Sequence, residues 1–315
     1  MASGPLPVPG SCTRIDRSPE GSLPINCVLV SETRQTEPAV TLSRWLAGGT
    51  AIDAHRHDGN QIVYASRGVL SVTTDAGTWI APASRAIWVP VGTMHEHRAY
   101  GTTVLHTVGL PGRANPPRIT RPAVLVVRPL LRELIIAYTR DPQEESPARS
   151  RLRSVMLDQL RTTPQQGIHL PAARDPRLAA VCDLLLHDPA DPRSMAQLGA
   201  TAGVSHRTLT RLFSQEMGMT FPRWRTQLRL HLALRLLAEG LPVTTVGHRC
   251  GWSTTSAFVD VFRRALGHTP GRSPRMRDPG RLVVSHRASP IGRLSLPSEP
   301  DDYSAAALRA YSERS

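Results

Sequence analysis

The sequence predicts two domains, an N-terminal all-β barrel followed by an all-α domain. Three observations lead to this. Up to about residue 128 the chain consists of short β-branched and aromatic runs separated by turn residues, which is typical of strands. Beyond residue 128 apolar residues recur at helical spacing. A length of 315 residues also suits two domains better than one.

Composition excludes several classes of protein. No run of about 18 apolar residues exists, so no transmembrane helix is expected. The N-terminus lacks a basic start followed by an apolar run, so no signal peptide is expected. The four cysteines are scattered, which indicates neither a disulfide framework nor a cysteine zinc site and suits a reducing cytoplasm. The net charge of +13, carried by arginine without lysine, favours an anionic partner, either nucleic acid or a membrane surface.

The two ends of the chain differ from its middle. Residues 1–24 and 279–315 are rich in Pro, Ser and Gly or Arg, and we expect both to be disordered tails. Between them, residues 25–128 contain the predicted strands, namely CVLV, IVYA, VLSVTT, TWIA, AIWVP and TVLHTV. The sequence Asp75-Ala76-Gly77 predicts a hairpin turn between VLSVTT and TWIA.

A histidine pattern lies within these strands. From Gly49 the sequence reads G-x5-H-x-H-x3-Q-x6-G, and from Pro90 it reads P-x-G-x2-H. The two patterns resemble the paired motifs of the cupin family, which implies a cupin-type barrel with a ligand pocket. The chain departs from those motifs where Gln61 replaces a glutamate and where Ser84 replaces the glycine that opens the second motif.

Strand geometry supports a site at these histidines. Residues two apart on a strand face the same side, so each HxH pair converges. The candidate metal or effector residues are His55, His57, Gln61, His95 and His97. Three imidazole ligands that leave one coordination position of the metal open suit one divalent Zn, Ni, Co, Cu or Fe ion per chain. Because the glutamate is missing, two alternatives to a metal site remain. One is a metal-free pocket that binds an organic or anionic effector, and the other is a pocket with no ligand.

Helices are predicted from residue 129 onward. Residues 129–163 hold two amphipathic stretches, the first with Pro129 at its start, and we expect them to pair two protomers as a homodimer. Residues 164–174 form a predicted linker. Residues 175–278, the most densely basic part of the chain, are predicted to be entirely helical.

Two helix-turn-helix units repeat within that segment. Gly203 and Gly251 supply the turns, Ser205 caps one second helix, and Ser253 or Thr254 caps the other. In each unit the second helix has a buried apolar stripe and is predicted to enter the major groove of DNA. A helix of about 17 residues ending at Gly240 joins the units across about 25 Å.

The run from Met195 to Arg272 resembles the DNA-binding domain of the AraC/XylS family of bacterial transcription regulators. This resemblance implies base contacts for Arg207, Thr210 and Arg211 in the first unit. The matching positions of the second unit are Thr255, Ser256, Val259 and Asp260. The full set of candidate DNA-binding residues is His206, Arg207, Thr210, Arg211, Arg249, Thr254, Thr255, Ser256, Val259, Asp260, Arg263 and Arg264. Of these, we expect Arg249, Arg263 and Arg264 to contact phosphates.

We therefore predict a transcriptional regulator whose cupin domain senses a metal ion or small molecule and whose helix-turn-helix units bind double-stranded DNA. We also expect RNA polymerase as a partner, and we expect no association with a membrane. The HxH…Q…H pattern also resembles a subgroup of the family that governs efflux of toxic compounds. The alternative is a metal-dependent cupin enzyme, a dioxygenase or isomerase, with an appended DNA-binding module.

Overall fold

A computed structural model describes residues 36–142 and 146–271 of the chain. The two predicted tails and the predicted strand CVLV lie outside these residues. The N-terminal half is built on strands, whose bounds are β1 (Thr36–Glu37), β2 (Leu42–Leu46), β3 (Ala51–His57), β4 (Gly59–Thr74), β5 (Gly77–Pro82), β6 (Arg85–Val89), β7 (His95–Pro111) and β8 (Ala123–Val126). Two helices follow, α1 (Pro129–Arg140) and α2 (Pro147–Arg161), and then a last strand, β9 (Ile168–Pro171).

The sheet is organised around the two long strands β4 and β7, which pair antiparallel along most of their length. The first half of β7 also pairs with β3. The second half of β4 also pairs with β5, which in turn pairs with β9. The second half of β7 pairs with β2, and the first half of β4 pairs with β6, which pairs with β8. The predicted hairpin is present, because Thr74 pairs with Gly77 across a two-residue turn.

The long strands bend where each carries a glycine. Gly68 of β4 has φ +78° and Gly101 of β7 has φ +63°, a backbone region that L side chains rarely adopt. A Cβ atom on Gly68 would lie 2.8 Å from the Thr102 carbonyl oxygen, so the strands approach too closely for any side chain there. Residues on either side of the bend, such as Val63 and Leu70, share one hydrophobic cluster. Pairings among the described residues leave the sheet open, so they do not establish the closed cupin barrel expected from the sequence.

The helical hairpin α1–α2 covers one face of the sheet. Leu131, Ile135 and Met156 are fully buried against sheet residues such as Trp88 and Leu125. Both helices begin with a proline in the first turn, where a missing N–H costs nothing. Their bounds agree closely with the two helices predicted over residues 129–163.

Part of the predicted linker is a strand. Ile168–Pro171 pairs antiparallel with Gly77–Ile80 of β5 and so extends the sheet. Ile168 and Leu170 are buried there. The connection between the two halves is therefore held against the sheet by backbone hydrogen bonds along these four residues.

The C-terminal half is helical throughout its described residues. Its helices are α3 (Pro176–His187), α4 (Met195–Thr201), α5 (His206–Met217), α6 (Phe221–Ala238), α7 (Val243–Arg249) and α8 (Thr255–Leu266). One hydrophobic cluster joins α3, α4 and α5 to the start of α6. Among the helices of residues 36–142 and 146–271, none combines the length and apolarity needed to span a bilayer.

A second cluster joins the helices to the sheet. Val69, Ile80 and Tyr100 of the sheet share it with Leu234 of α6 and Phe262 of α8. The approach is close, because a Cβ atom on Gly101 would lie 2.1 Å from the carbonyl oxygen of Ala238 at the end of α6. The sheet and the second helix-turn-helix unit are therefore packed together through a shared core.

Candidate ligand pocket and DNA-binding helices

The structure brings the four predicted histidines together. His55 and His57 lie on β3, and His95 and His97 lie on the first half of β7, with His55 directly opposite His95. The ring centroids of neighbouring histidines are 4.5 to 5.4 Å apart. One ring nitrogen each from His55, His95 and His97 lies within 4.8 Å of the other two. Three imidazoles therefore converge on a single point.

Backbone carbonyls set the tautomers of two of these histidines. Nδ1 of His55 donates a hydrogen bond to the Asp53 carbonyl oxygen at 2.6 Å, and Nδ1 of His95 donates to the Thr93 carbonyl oxygen at 2.8 Å. A carbonyl oxygen only accepts, so the proton of each neutral ring resides on Nδ1 and the lone pair on Nε2. Such a bond is the usual partner of a metal-binding histidine.

Burial keeps the inner histidines neutral. His95 and His97 are 1% and 3% exposed. The pKa of His95 is lowered to about 3, mainly by burial and in part by the neighbouring His55 and His57, although its bond to the Thr93 carbonyl opposes this. Burial also holds the pKa of His97 well below its ordinary value. Both rings therefore offer lone pairs at neutral pH. Within the described residues, His95 Nε2 and both nitrogens of His97 are buried without a hydrogen-bond partner.

Gln61 lies on the first half of β4, paired with Val89 and Gly109, and is 2% exposed. Its Oε1 is buried without a hydrogen-bond partner among the described residues. The structure adds Arg44 of β2, whose cation contributes to lowering the pKa of His97. Sequence reasoning missed Arg44, because its place near the pocket depends on β2 pairing with β7.

The two recognition helices, α5 and α8, begin as the sequence predicts. The Ser205 hydroxyl accepts a hydrogen bond from the Thr208 N–H, and the Thr254 hydroxyl accepts one from the Ala257 N–H. The turns before them contain Gly203 at φ +67° and Gly251 at φ +79°. Each helix buries one apolar stripe and ends at a glycine in the left-handed region, Gly218 and Gly267.

The predicted DNA-binding residues are mostly exposed. The exposed ones are His206, Arg207, Thr210, Arg211, Arg249, Thr254, Ser256, Asp260, Arg263 and Arg264. Thr255 and Val259 are half-buried. Several of the exposed groups already have partners within the protein. The Thr210 hydroxyl donates to the His206 carbonyl, Arg263 lies 3.5 Å from Asp260, and Arg264 Nε donates to the Asp260 carbonyl. The set therefore forms two exposed surfaces, one on each unit.

Comparisons with known families agree with both halves of the chain. Residues 198–275 match a family described as a helix-turn-helix domain. Residues 37–115 match a family described as an AraC-like ligand-binding domain. The second match contains all five pocket candidates, and the first contains all twelve DNA-binding candidates.

Individual regulators are similar to this chain over part of its length. The transcriptional regulator NimR of Escherichia coli strain K12 is 32% identical over 223 residues, which cover 69% of this chain and 80% of that protein. The regulator RipA of Corynebacterium glutamicum is 39% identical over 32% of this chain and 30% of its own length. The DNA-binding domain of AdpA, solved with a target DNA, is 33% identical over 30% of this chain and 86% of that chain, with a TM-score of 0.29. From its two domain matches and its likeness to NimR, the chain belongs to the AraC family of DNA-binding transcriptional regulators.

Proposed function

We propose that the chain reads DNA with α5 and α8 and that the histidine pocket of the sheet domain takes the regulating ligand. The observation that carries the first part is the pair of capped recognition helices with exposed polar first turns. The N-terminal residues of a recognition helix contact base edges, and Arg207 and Ser256 occupy those turns. Arg207, Thr210 and Arg211 are the proposed base contacts of the first unit, and Arg249, Arg263 and Arg264 the proposed phosphate contacts.

DNA binding is tested with the full chain and the duplex upstream of its own gene. We expect binding at ~150 mM salt to be at least ~1,000-fold tighter than to a random duplex of the same length. Fluorescence anisotropy on the two duplexes measures this ratio, with and without added metal. Equal affinity for both duplexes under both conditions would refute sequence-specific recognition.

For the pocket we propose one divalent transition metal, Zn, Ni, Co, Cu or Fe, held by His55, His95 and His97. The support is the convergence of three imidazole nitrogens, two of them on rings whose Nδ1 proton is fixed by a carbonyl. Ligand nitrogens on tetrahedral zinc stand about 3.4 Å apart. The three histidine nitrogens lie within 4.8 Å of one another, so side-chain rotations that move each nitrogen by about 1 Å bring them to that spacing. His57, on the same strand as His55, and Gln61 of β4 are further donors. An organic or anionic effector in the same pocket is the second candidate, favoured by the missing glutamate.

Elemental analysis of full-length protein purified at neutral pH distinguishes these candidates. We expect about one metal per chain in the wild type and in His248→Ala, an exposed histidine of α7, and none in His95→Ala or in the half-buried His55→Ala. Circular dichroism checks that each variant is folded. A metal-free wild type, even after incubation with Zn²⁺ and Ni²⁺, would exclude the metal and leave the organic effector.

The remaining features follow from the family. We propose that α1 and α2 pair two protomers, because Leu130 and Val155 are apolar and exposed on them. Promoter binding makes RNA polymerase a further partner and the cytoplasm the place of action. We propose no catalytic role, because the relatives are named as regulators, and the dioxygenase or isomerase alternative is the less supported one.

A further inference from the structure

A buried arginine of the sheet domain reaches the end of the second recognition helix. Arg85, the first residue of β6, is 4% exposed. Its Nε donates to the Gln166 carbonyl at 2.9 Å, its Nη1 to the Ser84 carbonyl at 3.0 Å, and its Nη2 to the Leu266 carbonyl at 3.2 Å. Leu266 is the last residue of α8. The Arg85 side chain therefore links two backbone segments, at Ser84 before β6 and at Gln166 between the two domains, to the end of α8.

The chemistry of this contact is favourable for a helix end. The last four carbonyls of a helix lack intrahelical N–H partners and form the negative end of its dipole, so a cation stabilises them. Burial lowers the pKa of Arg85, and the ion pairs of the described residues do not include it. Carbonyl oxygens are thus the partners of a buried cation, which is costly to bury without hydrogen bonds. Arg85 and the end of α8 therefore hold each other in place.

The neighbouring residue makes a second contact to the same place. The Ser84 hydroxyl lies 3.3 Å from Nε2 of His268, which follows α8 by two residues. A glycine at this position would have no hydroxyl to offer, so this contact between the two domains depends on the serine side chain.

The other end of α8 is open. Ser256 and Asp260 lie in its first half and are exposed, whereas Ser84 and Arg85 contact its last residue and the residues beyond. Recognition helices contact base edges with their N-terminal residues. A helix held at its C-terminal end therefore keeps its reading end free for the major groove.

We propose that Ser84 and Arg85, which we name the α8 clamp, are positioning residues for DNA recognition by the second helix-turn-helix unit. The clamp fixes the orientation of α8 relative to the sheet domain. A movement of the sheet that carries the ligand pocket therefore also moves the second unit. The proposal rests on the proposed function, because it assumes that α8 contacts DNA. It adds a specific residue pair through which the sheet domain acts on DNA binding.

The test uses the full chain and a duplex selected by the wild type from a random pool. Footprints of Arg207→Ala and Asp260→Ala first assign the half-sites of α5 and α8. We expect Arg85→Met to bind about tenfold more weakly and to lose protection only over the α8 half-site, since hydrogen bonds to charged groups are strong. Arg85→Lys should recover part of the affinity, and Ser84→Gly should show a smaller loss. Arg67→Met, an exposed arginine of β4, is the matched control and should behave as the wild type.

Hydrogen exchange supplies a readout that needs no DNA. In Arg85→Met the amides of residues 263–268 should exchange at least about tenfold faster, while those of α5 keep wild-type rates. Equal loss of protection over both half-sites, or faster exchange throughout the sheet, would show a general loss of stability and overturn the clamp. A wild type that selects no duplex would refute the proposed function instead, and the exchange experiment would still decide the clamp.

Discussion

Two glycines at equivalent positions of the two helix-turn-helix units have different surroundings. Gly199 is the fifth residue of α4 and Gly247 the fifth residue of α7. A Cβ atom on Gly199 would lie 2.5 Å from the Val204 carbonyl oxygen, whereas one on Gly247 would lie 3.4 Å from Cδ1 of Phe258, an ordinary contact. The first glycine is therefore required by packing, and the second is not.

This difference predicts opposite effects of the same substitution. Gly247→Ala should raise the free energy of unfolding by up to about 1 kcal/mol, the helix preference of alanine over glycine. Gly199→Ala should lower it by about 2 kcal/mol, because the carbonyl oxygen of Val204 must move. Urea unfolding of the two variants measures both changes. The same sign in both would contradict the packing argument.

His106 is a buried histidine outside the pocket, on the second half of β7. Its Nδ1 lies 2.7 Å from the Thr139 hydroxyl, which donates to the Ile135 carbonyl, and its Nε2 lies 2.9 Å from the Ser66 hydroxyl. Nδ1 therefore carries the proton and Nε2 accepts from Ser66. Burial is the main cause that lowers the pKa of His106 to about 4, and the Arg132 cation adds to it.

A lowered histidine pKa predicts that acid destabilises the fold. The unfolded chain takes up the proton near pH 6.5 and the folded one only near pH 4, so the stability present above pH 6.5 is lost as pH falls towards 4. For His106 the loss is up to about 3 kcal/mol. Unfolding free energies between pH 7 and pH 4.5 should fall less steeply in His106→Asn than in the wild type. Parallel curves would show that His106 does not contribute.

At the scale of single elements, the two units differ in how their first helices are stabilised. α4 begins with a capping box, in which Ser194 and Gln197 satisfy each other's backbone N–H. α7 follows Pro242, which offers no side-chain cap, and each of the two helices has a glycine at its fifth position. The first helix of the second unit is therefore the weaker helix in isolation, and its order depends more on packing against α6, α8 and the sheet.

The recognition helices carry arginines with different expected roles. Arg207 lies in the first turn of α5, where we propose a base contact, and Arg263 lies in the last turn of α8, where we propose a phosphate contact. Arg207→Ala should reduce discrimination between the selected duplex and single-base variants by about 1–3 kcal/mol. Arg263→Ala should weaken binding to all duplexes alike and lower the slope of log affinity against log salt by about 1.

Anisotropy titrations at several salt concentrations separate these effects. If Arg207→Ala weakened binding to all duplexes equally, Arg207 would be a phosphate contact and not a base contact. Altered sequence preference in Arg263→Ala would make it a base contact.

At the scale of the whole molecule, the proposed dimer depends on the outer face of the helical hairpin. Leu130 and Val155 are 52% and 42% exposed, while other apolar residues of α1 and α2 pack on the sheet. Leu130→Glu with Val155→Glu should convert a dimer to a monomer at micromolar concentration, because the added charges would be buried without partners. Sedimentation velocity measures the change.

The control carries the same added charge elsewhere, as Ser214→Glu with Gln215→Glu on exposed positions of α5. It should sediment as the wild type does. A dimer that survives the Leu130 and Val155 changes would place the contact on another surface.

The sequence by itself determined the local features of the fold. Helix starts, caps and turn glycines depend on a few neighbouring residues, so Pro129, Ser205, Gly203 and Gly251 were correctly assigned from pattern alone. For the cap of α8 the pattern left Ser253 and Thr254 as alternatives, and the structure selects Thr254. The histidine cluster was also predicted, because residues two apart on a strand share a face and the two motifs have characteristic spacings. The two-domain organisation and the DNA-binding half followed from the same regularities.

Only the tertiary structure decided how distant segments meet. It showed one 16-residue strand, β4, where the sequence suggested two, since the bend at Gly68 hides its continuity. It placed β9 in the sheet, left the sheet open among the residues it describes, and brought Arg85 to Leu266 across 181 residues. Such contacts leave no periodic signal, because each depends on which strands pair and on where a buried group finds its partner. The proposed link between pocket and DNA therefore depends on contacts that local pattern does not encode.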